Sequence, residues 1–298
     1  LGVYAGSGIE KKQKIFKVLQ LNIWHEGTKV PDGYQAILNV LDEVDADVVF
    51  LCEIRNRDEK GLMSNLTNDL KKRGKEYNGE TLGLSVGILS KYKPDSIEKC
   101  CIVPGDEGRA MLKASITIGG QQMSFYSCHL DYTHYECYMP RGYSGTTWKK
   151  IDRPITDEKE VLAANRLSFR DESISAFIAE AEKDIKNGIP VIMGGDFNEP
   201  SHLDWQENTK NLWDHNGAVI NWDCSVMLQN AGFIDTYRKR YSDVVKYPGF
   251  TFPAGNKTAR EAGLERLAWA PEADERDRID FIYYYPAVGH IELKNCIL

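Results

Sequence analysis

The chain has 298 residues, of which 42% are hydrophobic and 27% charged, and its formal net charge at pH 7 is −7. That composition is globular, with ample length for a sizeable core, and no apolar run approaches the roughly 20 residues of a membrane-spanning helix. A negative surface does not attract nucleic acid non-specifically, since Lys and Arg contacts to phosphate dominate such binding, although a local basic groove stays open.

The cysteines and the first residue bear on where the protein works. The cysteine count is odd and no Cys-x-x-Cys pair occurs, which predicts neither a disulfide framework nor a zinc site. The chain starts with Leu1 instead of Met, so either a leader has been removed, as in an exported protein, or the chain has been trimmed. Localisation stays open between these alternatives, and we expect a monomer.

The first half of the chain alternates predicted strands and helices. Residues 15–23 alternate apolar and polar side chains, which predicts a strand that ends near Asn22. Residues 47–52 form a continuous apolar run, typical of a buried strand, and Glu53 follows it directly. Helices are predicted over 33–44 and 59–73, and further strands over 85–89, 97–103, 109–118 and 122–129, the last of which ends at His129.

An irregular, aromatic segment over residues 131–157 follows and is too long for a plain connection. It contains Tyr132, Tyr143 and Trp148. These rings either pack with one another as a loop or, because the segment starts directly after His129, shape a substrate pocket. Beyond it we predict one long helix over 161–185, a strand from Val191 and a second irregular segment over 201–222. A short helix over 224–231, a loop over 247–255 and strands over 279–285 and 289–293 are predicted to follow.

The stretch Val-Ile-Met-Gly-Gly-Asp-Phe-Asn at residues 191–198 carries the clearest chemical pattern. Strand side chains alternate between faces, so Asp196 and Asn198 project to the same side. A carboxylate there can hold or deprotonate a water molecule, and the neighbouring amide can donate to a negatively charged oxygen. Gly194 and Gly195 allow backbone or ligand to approach closely. Taken alone, the stretch is equally typical of a strand that ends in an Asp/Asn turn.

Several predicted strands begin or end in a polar residue, and a sandwich would gather those ends at one rim. Asn22 and Glu53 offer the hard oxygen ligands that Mg²⁺ accepts while keeping several waters. His129 can donate a proton or a hydrogen bond to a phosphate oxygen. No serine or cysteine nucleophile motif occurs, so direct attack by water is the simpler chemistry. Each position also has a structural interpretation, such as a turn residue, a surface ion pair or a buried histidine; the candidates are Asn22, Glu53, His129, Asp196, Asn198 and Asp280.

No internal repeat or linker divides the sequence, so we expect a single domain over residues 1–298. Strands and helices are interspersed, while the middle of the chain is hairpin-like, with Gly119-Gly120 as a turn signal. This order favours an α/β sandwich of mixed sheets with helices outside and strands inside.

The sequence resembles the endonuclease/exonuclease/phosphatase family, the Mg²⁺-dependent phosphoesterases similar to pancreatic-type deoxyribonuclease. The matching motifs follow the family's order and cover nearly the whole chain. GDFN and RIDFI together are specific, whereas any single motif is weak. The motifs are LQLNIW (19–24), FLCEIR (50–55), GILSKY (87–92), GRAMLKASI (108–116), SCHLD (127–131), GGDFNEP (194–200), GFIDTYR (232–238), YPGFTFPAG (247–255) and RIDFIYY (278–284).

This resemblance implies a four-layered α/β/β/α sandwich of two mixed β-sheets flanked by helices, with the site at one rim. It implies that Asn22 and Glu53 hold Mg²⁺, for which Mn²⁺ can substitute, and that the metal acts as a Lewis acid on the phosphoryl oxygen. By position in the motifs, Asp196 would orient or activate water, and Asn198 would bind a phosphate oxygen. His129 would stabilise the phosphoryl group or assist the leaving group, and Arg109 would contact phosphate. Asp280 would orient a histidine near the C-terminus.

One departure concerns that histidine. The family ends in a Ser-Asp-His motif on a last strand, whereas this sequence stops at Leu298 without one. His290 has no Asp before it, and we do not assign it the role. Either the natural protein continues past residue 298, which we favour because every other motif is intact, or the site lacks its general acid/base.

Three functions stay open. The first is a Mg²⁺-dependent phosphodiesterase or phosphatase acting on a small or lipid-like phosphoester, weakly favoured by the acidic charge and by the aromatic segment with Tyr132, Tyr143 and Trp148. The second is a nuclease, which would need a basic groove, whereas the sequence shows only short basic clusters at 71–73 and 149–150. The third is a binding protein that has kept the fold but lost the terminal histidine.

Overall fold

Strands and helices are interspersed along the described chain, which in this computed structural model comprises residues 14–56, 59–253, 269–270, 272–286 and 291–298. The strands are β1 (Val18–Asn22), β2 (Val48–Cys52), β3 (Asn78–Glu80), β4 (Val86–Ser90), β5 (Ser96–Cys100), β6 (Met111–Ile118), β7 (Gln121–His129), β8 (Val191–Asp196), β9 (Ile234–Asp235) and β10 (Asp280–Tyr284). The helices are α1 (Gly33–Val44), α2 (Leu62–Lys72), α3 (Glu158–Asn165), α4 (Arg170–Lys186), α5 (Asp223–Asn230) and α6 (Thr236–Arg240).

The strands form two mixed sheets. The first sheet has four strands in the order β1-β2-β4-β3, and the second has six in the order β5-β6-β7-β8-β10-β9. Each contains one parallel pair, β1 with β2 and β7 with β8, and the other pairs are antiparallel. All five residues of β2 are buried, as expected for a continuous apolar strand that is covered on both faces.

The two sheets pack face to face, and helices cover their outer faces. Between the sheets, Phe50 of β2 meets Phe125 of β7 with ring centroids 6.4 Å apart. Leu41 of α1 and Leu66 of α2 are fully buried against the outer face of the first sheet. Phe177 of α4 is buried in the same way against the second sheet. This is the predicted four-layered α/β/β/α sandwich, and the fold class is therefore confirmed.

The paired glycines of β8 are required by close packing. A Cβ atom at Gly194 would lie 2.3 Å from Cδ2 of Phe50 in the facing sheet. A Cβ atom at Gly195 would lie 2.0 Å from the carbonyl oxygen of Cys128 in the neighbouring strand. Both distances are far shorter than any real carbon contact, so a side chain at Gly194 would force the sheets apart and one at Gly195 would force β8 away from β7. The glycines let the end of β8 approach β2 and β7, where the polar strand ends are found.

The single long helix predicted over 161–185 is wrong, because α3 ends at Asn165 and α4 begins at Arg170. The Ser168 hydroxyl donates to the Asn165 carbonyl (2.9 Å), and the buried Arg170 guanidinium donates to the Asn165 side-chain oxygen (2.5 Å). These bonds satisfy the end of α3 and turn the chain. Leu167, which helical spacing placed on the apolar face, is 66% exposed as a result.

Most other predicted elements agree with the structure to within a few residues, and α1 has the predicted bounds. The three-residue strand β3 was not predicted, and residues 291–293 do not form the predicted strand. Residues 289–290 of that strand, the end of the 247–255 loop and most of the N-terminal segment lie outside the described residues. None of the helices described is both long and apolar enough to span a membrane. The single-domain organisation stays a prediction.

Candidate active site

Three neighbouring strands of the second sheet place polar side chains in one row. In the parallel pair of β7 and β8, His129 is opposite Asp196. In the antiparallel pair of β8 and β10, Asp280 is also opposite Asp196. The register therefore puts an imidazole and two carboxyl groups side by side at the rim where these strands meet. On the first sheet, Asn22 at the end of β1 and Glu53 just after β2 reach the same rim.

The Asn22 amide joins the two sheets by hydrogen bonds. Its Nδ2 donates to Oδ2 of Asp196 at 2.9 Å and to Oε1 of Glu53 at 3.2 Å. Its Oδ1 accepts from the backbone N–H of Trp24 at 2.9 Å, which fixes the orientation of the amide. One carboxamide thus holds two carboxylates from different sheets within a few ångströms of each other, as the sequence predicted for this rim.

Asp196 is buried, and the pKa of its carboxyl is raised to about 6 because burial penalises the charged form. Hydrogen bonds from the Asn198 backbone (2.8 Å to Oδ1) and from Asn22 act in the opposite direction. Asn198 has a left-handed backbone conformation (φ 48°), and its Nδ2 donates to the carbonyl of Leu130 at 3.0 Å. An amide NH2 group has two hydrogens, and among the described residues the Leu130 carbonyl is the one acceptor recorded for it.

His129 lies beside the same carboxylate, with Nε2 at 3.9 Å from Oδ2 of Asp196. Burial lowers the pKa of His129 to about 4, with Glu53 opposing this shift and the charges of Arg109 and Arg55 adding to it. The imidazole is therefore neutral near pH 7 and presents one N–H donor and one acceptor.

Asp280 has neutral hydrogen-bond partners. The Gln20 amide donates to its Oδ1 at 3.0 Å, and its own backbone N–H donates to the Thr251 hydroxyl at 3.2 Å. Burial, and then the charge of Asp196, raise the pKa of Asp280 well above its usual range. His290 lies outside the described residues. Gln20 was not identified from the sequence, although its spacing of two residues from Asn22 places both side chains on one face of β1.

The carboxylate oxygens at the rim are of the type that a hard divalent cation binds. The carboxylates of Asp196, Asp280 and Glu53 gather there, and Glu53 lies 4.0 Å from the Arg55 guanidinium and 3.4 Å from the His25 imidazole. Within the described ranges, no group of three or more His, Cys, Asp or Glu side chains is arranged to hold a metal ion. Mg²⁺ does not need such a group, because it binds through one or two carboxylates and keeps several waters. Glu53, which is partly exposed, would hold it. The Asn22 oxygen accepts from the Trp24 N–H and its NH2 group faces Glu53, so Asn22 as a metal ligand stays a prediction.

Arg109 and Tyr132 form a cationic and aromatic edge beside this rim. Nη1 of Arg109 donates to Asp106 at 2.5 Å, and Nη2 lies 3.3 Å from Asp131, two residues after His129. The guanidinium lies over the Tyr132 ring, 5.3 Å from its centroid. Tyr132 is 55% exposed, so part of its surface is accessible to a ligand.

Tyr143 and Trp148 lie in a different environment, a packed aromatic cluster shared with the 201–222 segment. Tyr143 is buried, and its hydroxyl accepts from the backbone N–H of Glu272 at 3.3 Å. The Trp148 ring packs against Tyr138 and Trp269, with centroids 5.7 and 5.5 Å away. Across the described residues, none of these contacts reaches Asp196 or Glu53. A substrate-binding role for Tyr143 and Trp148 stays a prediction.

The family model for "Endonuclease/Exonuclease/phosphatase family" matches residues 19–293, and the chain belongs to that family. Its members are hydrolases that act on phosphoester bonds and generally depend on a divalent metal. An uncharacterized protein of Caenorhabditis elegans is 29% identical over 281 residues, which cover 90% of this chain and 78% of that protein.

Solved structures share the fold at low sequence identity. A family protein from Leptotrichia buccalis is 15% identical with a TM-score of 0.52, covering 91% of this chain and 88% of its own. Truncated Caenorhabditis elegans TDP2 is 15% identical with a TM-score of 0.53, covering 91% and 83%. A variant of the Neisseria 3′ phosphatase NExo, bound to a product DNA hairpin, is 15% identical with a TM-score of 0.52, covering 92% and 88%.

Proposed function

We propose that this protein is a Mg²⁺-dependent phosphoesterase that cleaves a small or lipid-like phosphoester by attack of water. The observation that carries the proposal is the junction at Asn22, which holds Asp196 within 2.9 Å and Glu53 within 3.2 Å while His129 lies beside Asp196. A water-directing carboxylate, a metal-binding carboxylate and a neutral imidazole donor thus share one rim. Phosphoester hydrolysis needs these three functions in that proximity.

Each residue of the rim has a role that its contacts support. Asp196 orients the attacking water and accepts its proton, since its Oδ2 faces the rim between Asn22 and His129. Asn198 and His129 donate hydrogen bonds to the phosphoryl oxygens, which carry more negative charge in the transition state than in the substrate. Asp280 orients the rim through Gln20 and positions a histidine if one follows in the natural chain.

The metal would be held by Glu53, with Asn22 beside it, and Mn²⁺ would substitute for Mg²⁺. When bound, such an ion polarises the phosphoryl oxygen and offsets negative charge on the leaving oxygen. The chain's own contribution is to keep the Glu53 carboxylate fixed, through hydrogen bonds from Asn22 and from the backbone N–H of His25 at 2.9 Å.

We place the substrate's phosphate against Arg109 and its organic group against Tyr132. Arg109 is fixed by two carboxylates, so it is pre-oriented to bind phosphate, and the exposed face of Tyr132 suits an apolar or aromatic group. Tyr143 and Trp148 would act indirectly, by packing the 131–157 segment that positions Tyr132.

A DNA end is the second candidate substrate, since the Neisseria structure was solved with a product DNA hairpin. The short basic clusters at 71–73 and 149–150 are partly neutralised in this protein. Lys72 pairs with Asp69, Arg73 with Asp42, and Lys150 with Glu272. A weak affinity for nucleic acid, with a shallow dependence on salt, is therefore expected.

The test is hydrolysis of p-nitrophenyl phosphate and bis(p-nitrophenyl) phosphate with Mg²⁺, Mn²⁺ or EDTA. We expect metal-dependent turnover that falls by about 10²–10⁴-fold in Asp196→Ala, as for loss of a general base. Asp69→Ala, an aspartate that pairs with Lys72 on the outer helix α2, is the matched control and should keep full activity. Metal-independent turnover, or turnover retained in Asp196→Ala, would rule the proposal out. A folded protein without any turnover would favour the binding-protein alternative.

A further inference from the structure

Two loops around Glu53 have an unusual backbone conformation. A left-handed conformation is uncommon outside glycine and persists only when the surrounding structure enforces it. Clusters of such residues are typical of ligand-binding sites. Five non-glycine residues in these loops have it: Trp24 (φ 33°), His25 (φ 56°), Glu26 (φ 62°), Glu53 (φ 69°) and Asn56 (φ 49°).

A buried carboxylate enforces this arrangement. Glu26 is 8% exposed, and its Oε1 accepts hydrogen bonds from the backbone N–H groups of Arg55 at 2.7 Å and Asn56 at 2.6 Å. A charged acceptor makes such bonds stronger than those between neutral groups. The backbone that carries Arg55 is therefore fixed to the loop after β1, directly beside Glu53.

The Arg55 side chain, by contrast, is loosely held. Its Nη2 lies 3.4 Å from Nε2 of His25 and 4.0 Å from Oε2 of Glu53, and the side chain is 42% exposed. A guanidinium has five N–H donors, and in the described part of the chain these are its two side-chain contacts. An exposed ion pair at this distance contributes little to stability. The positive charges of Arg55 and Arg109 both lower the pKa of His129.

We propose that Arg55 forms a second anion subsite, which binds a second negative charge of the substrate's phosphate on the Glu53 side of the rim. Arg109 would bind the first charge on the Asp131 side. A phosphomonoester carries about 1.5 to 2 negative charges near neutral pH, whereas a phosphodiester carries one. The pair of arginines thus selects a terminal phosphate over an internal diester. This inference rests on the proposed function for the position of the reacting phosphate.

The first test measures binding of inorganic phosphate by titration calorimetry, without any turnover, in the Mg²⁺-loaded protein. We expect Arg55→Gln to weaken binding by roughly 10- to 100-fold, as for a lost hydrogen bond to a charged group. Arg55→Lys should lose less, because it keeps the charge but not the planar fork. Arg73→Gln is the matched control: Arg73 contacts Asn39 and Asp42 near the end of α1, away from the rim.

The second test compares kcat/KM between substrates, to identify which phosphate group carries the negative charge that Arg55 binds. Arg55→Gln should lower kcat/KM for p-nitrophenyl phosphate by about 10- to 100-fold, mainly through KM, and for bis(p-nitrophenyl) phosphate by less than about 3-fold. A third substrate, thymidine 5′-(p-nitrophenyl) phosphate with or without a 3′-phosphate, presents a neighbouring phosphate instead. A loss confined to its 3′-phosphorylated form would overturn the assignment to a terminal phosphate.

Other outcomes distinguish this inference from the proposed function. Equal phosphate binding by the wild-type protein and Arg55→Gln, or no phosphate binding at all, would overturn the subsite. Phosphate binding that depends on Arg55, in a protein that hydrolyses none of the substrates, would support the subsite and contradict the proposed function.

Discussion

Two regions of this molecule hold buried carboxylates with different kinds of partner. The first region is the rim, where Asp196 and Asp280 accept hydrogen bonds from amides, a hydroxyl and backbone N–H groups. The second, the insert core, lies where the 131–157 and 201–222 segments meet the start of β10. There the buried aspartates face arginines, and the ion pairs are Arg141–Asp277, Arg278–Asp204, Arg238–Asp204 and Arg278–Asp235.

This difference in partners distinguishes carboxylates that stabilise the fold from carboxylates that are available to bind a ligand. A buried carboxylate costs free energy unless an opposite charge or several hydrogen bonds compensate it. In the insert core the compensation comes from the protein itself, so nothing else needs to bind. At the rim the described residues place no lysine or arginine in an ion pair with Asp196 or Asp280, and burial raises the pKa values of both. A bound cation would favour their charged forms.

The largest effect on stability should follow from removing one charge of a buried ion pair in the insert core. Asp277 accepts from Arg141 at 2.5 Å and from the Trp205 indole at 3.0 Å, and the Arg141 side chain is fully buried. Asp277→Asn would leave that guanidinium uncompensated, so we expect a loss of about 3–5 kcal/mol in the free energy of unfolding, measured by urea denaturation. Asp274→Asn, which breaks the more exposed pair with Arg276, should cost less than about 1 kcal/mol. Equal costs for the two variants would contradict the comparison.

A metal ion should stabilise the rim region in a way that depends on Glu53. At a Mg²⁺ concentration of about 100 times Kd, binding to the folded state alone adds roughly 2.7 kcal/mol to the free energy of unfolding. We therefore expect Tm to rise with Mg²⁺ and to fall with EDTA in the wild-type protein, and to stay constant in Glu53→Gln. Glu76→Gln, at an exposed position, is the matched control and should respond like the wild type. A metal-dependent Tm in Glu53→Gln would place the ion elsewhere.

The sequence was sufficient to predict the rim because strand ends are local features. Each apolar run stops at a polar residue, and the resemblance to the family orders these stops, so Asn22, Glu53 and Asp196 could be expected at one rim before any packing was known. The bridge by Asn22 could not be predicted, since it joins residues 174 positions apart across two sheets. The same holds for Gln20, whose partner Asp280 lies 260 positions away.

The aromatic segment shows where sequence reasoning was ambiguous. A tyrosine or tryptophan in a loop can pack or bind a ligand, and composition does not distinguish the two. The partners decide: the cluster that contains Tyr143 and Trp148 is completed by Trp205 and Trp222, from a segment that lies well beyond α4 in the chain. The break between α3 and α4 was missed for a related reason, because the bonds that cause it come from the polar side chains of Ser168 and Arg170 rather than from the apolar period.

A final prediction tests whether the charges of the insert core compensate one another only while His215 is neutral. His215 stacks on Trp205 with centroids 3.6 Å apart, and burial, together with the charge of Arg141, lowers the pKa of His215 from about 6.5 to about 2. Below pH 6.5 the unfolded chain binds a proton that the folded chain does not, so stability is full above that pH and falls by about 1.4 kcal/mol per unit below it. Between pH 7.5 and 5 we expect a loss of roughly 2 kcal/mol from this group. His215→Phe keeps the stacking, so its free energy of unfolding, measured by urea denaturation, should fall by roughly 2 kcal/mol less over this pH range than that of the wild type. The same pH dependence in both proteins would mean that His215 is protonated in the folded state.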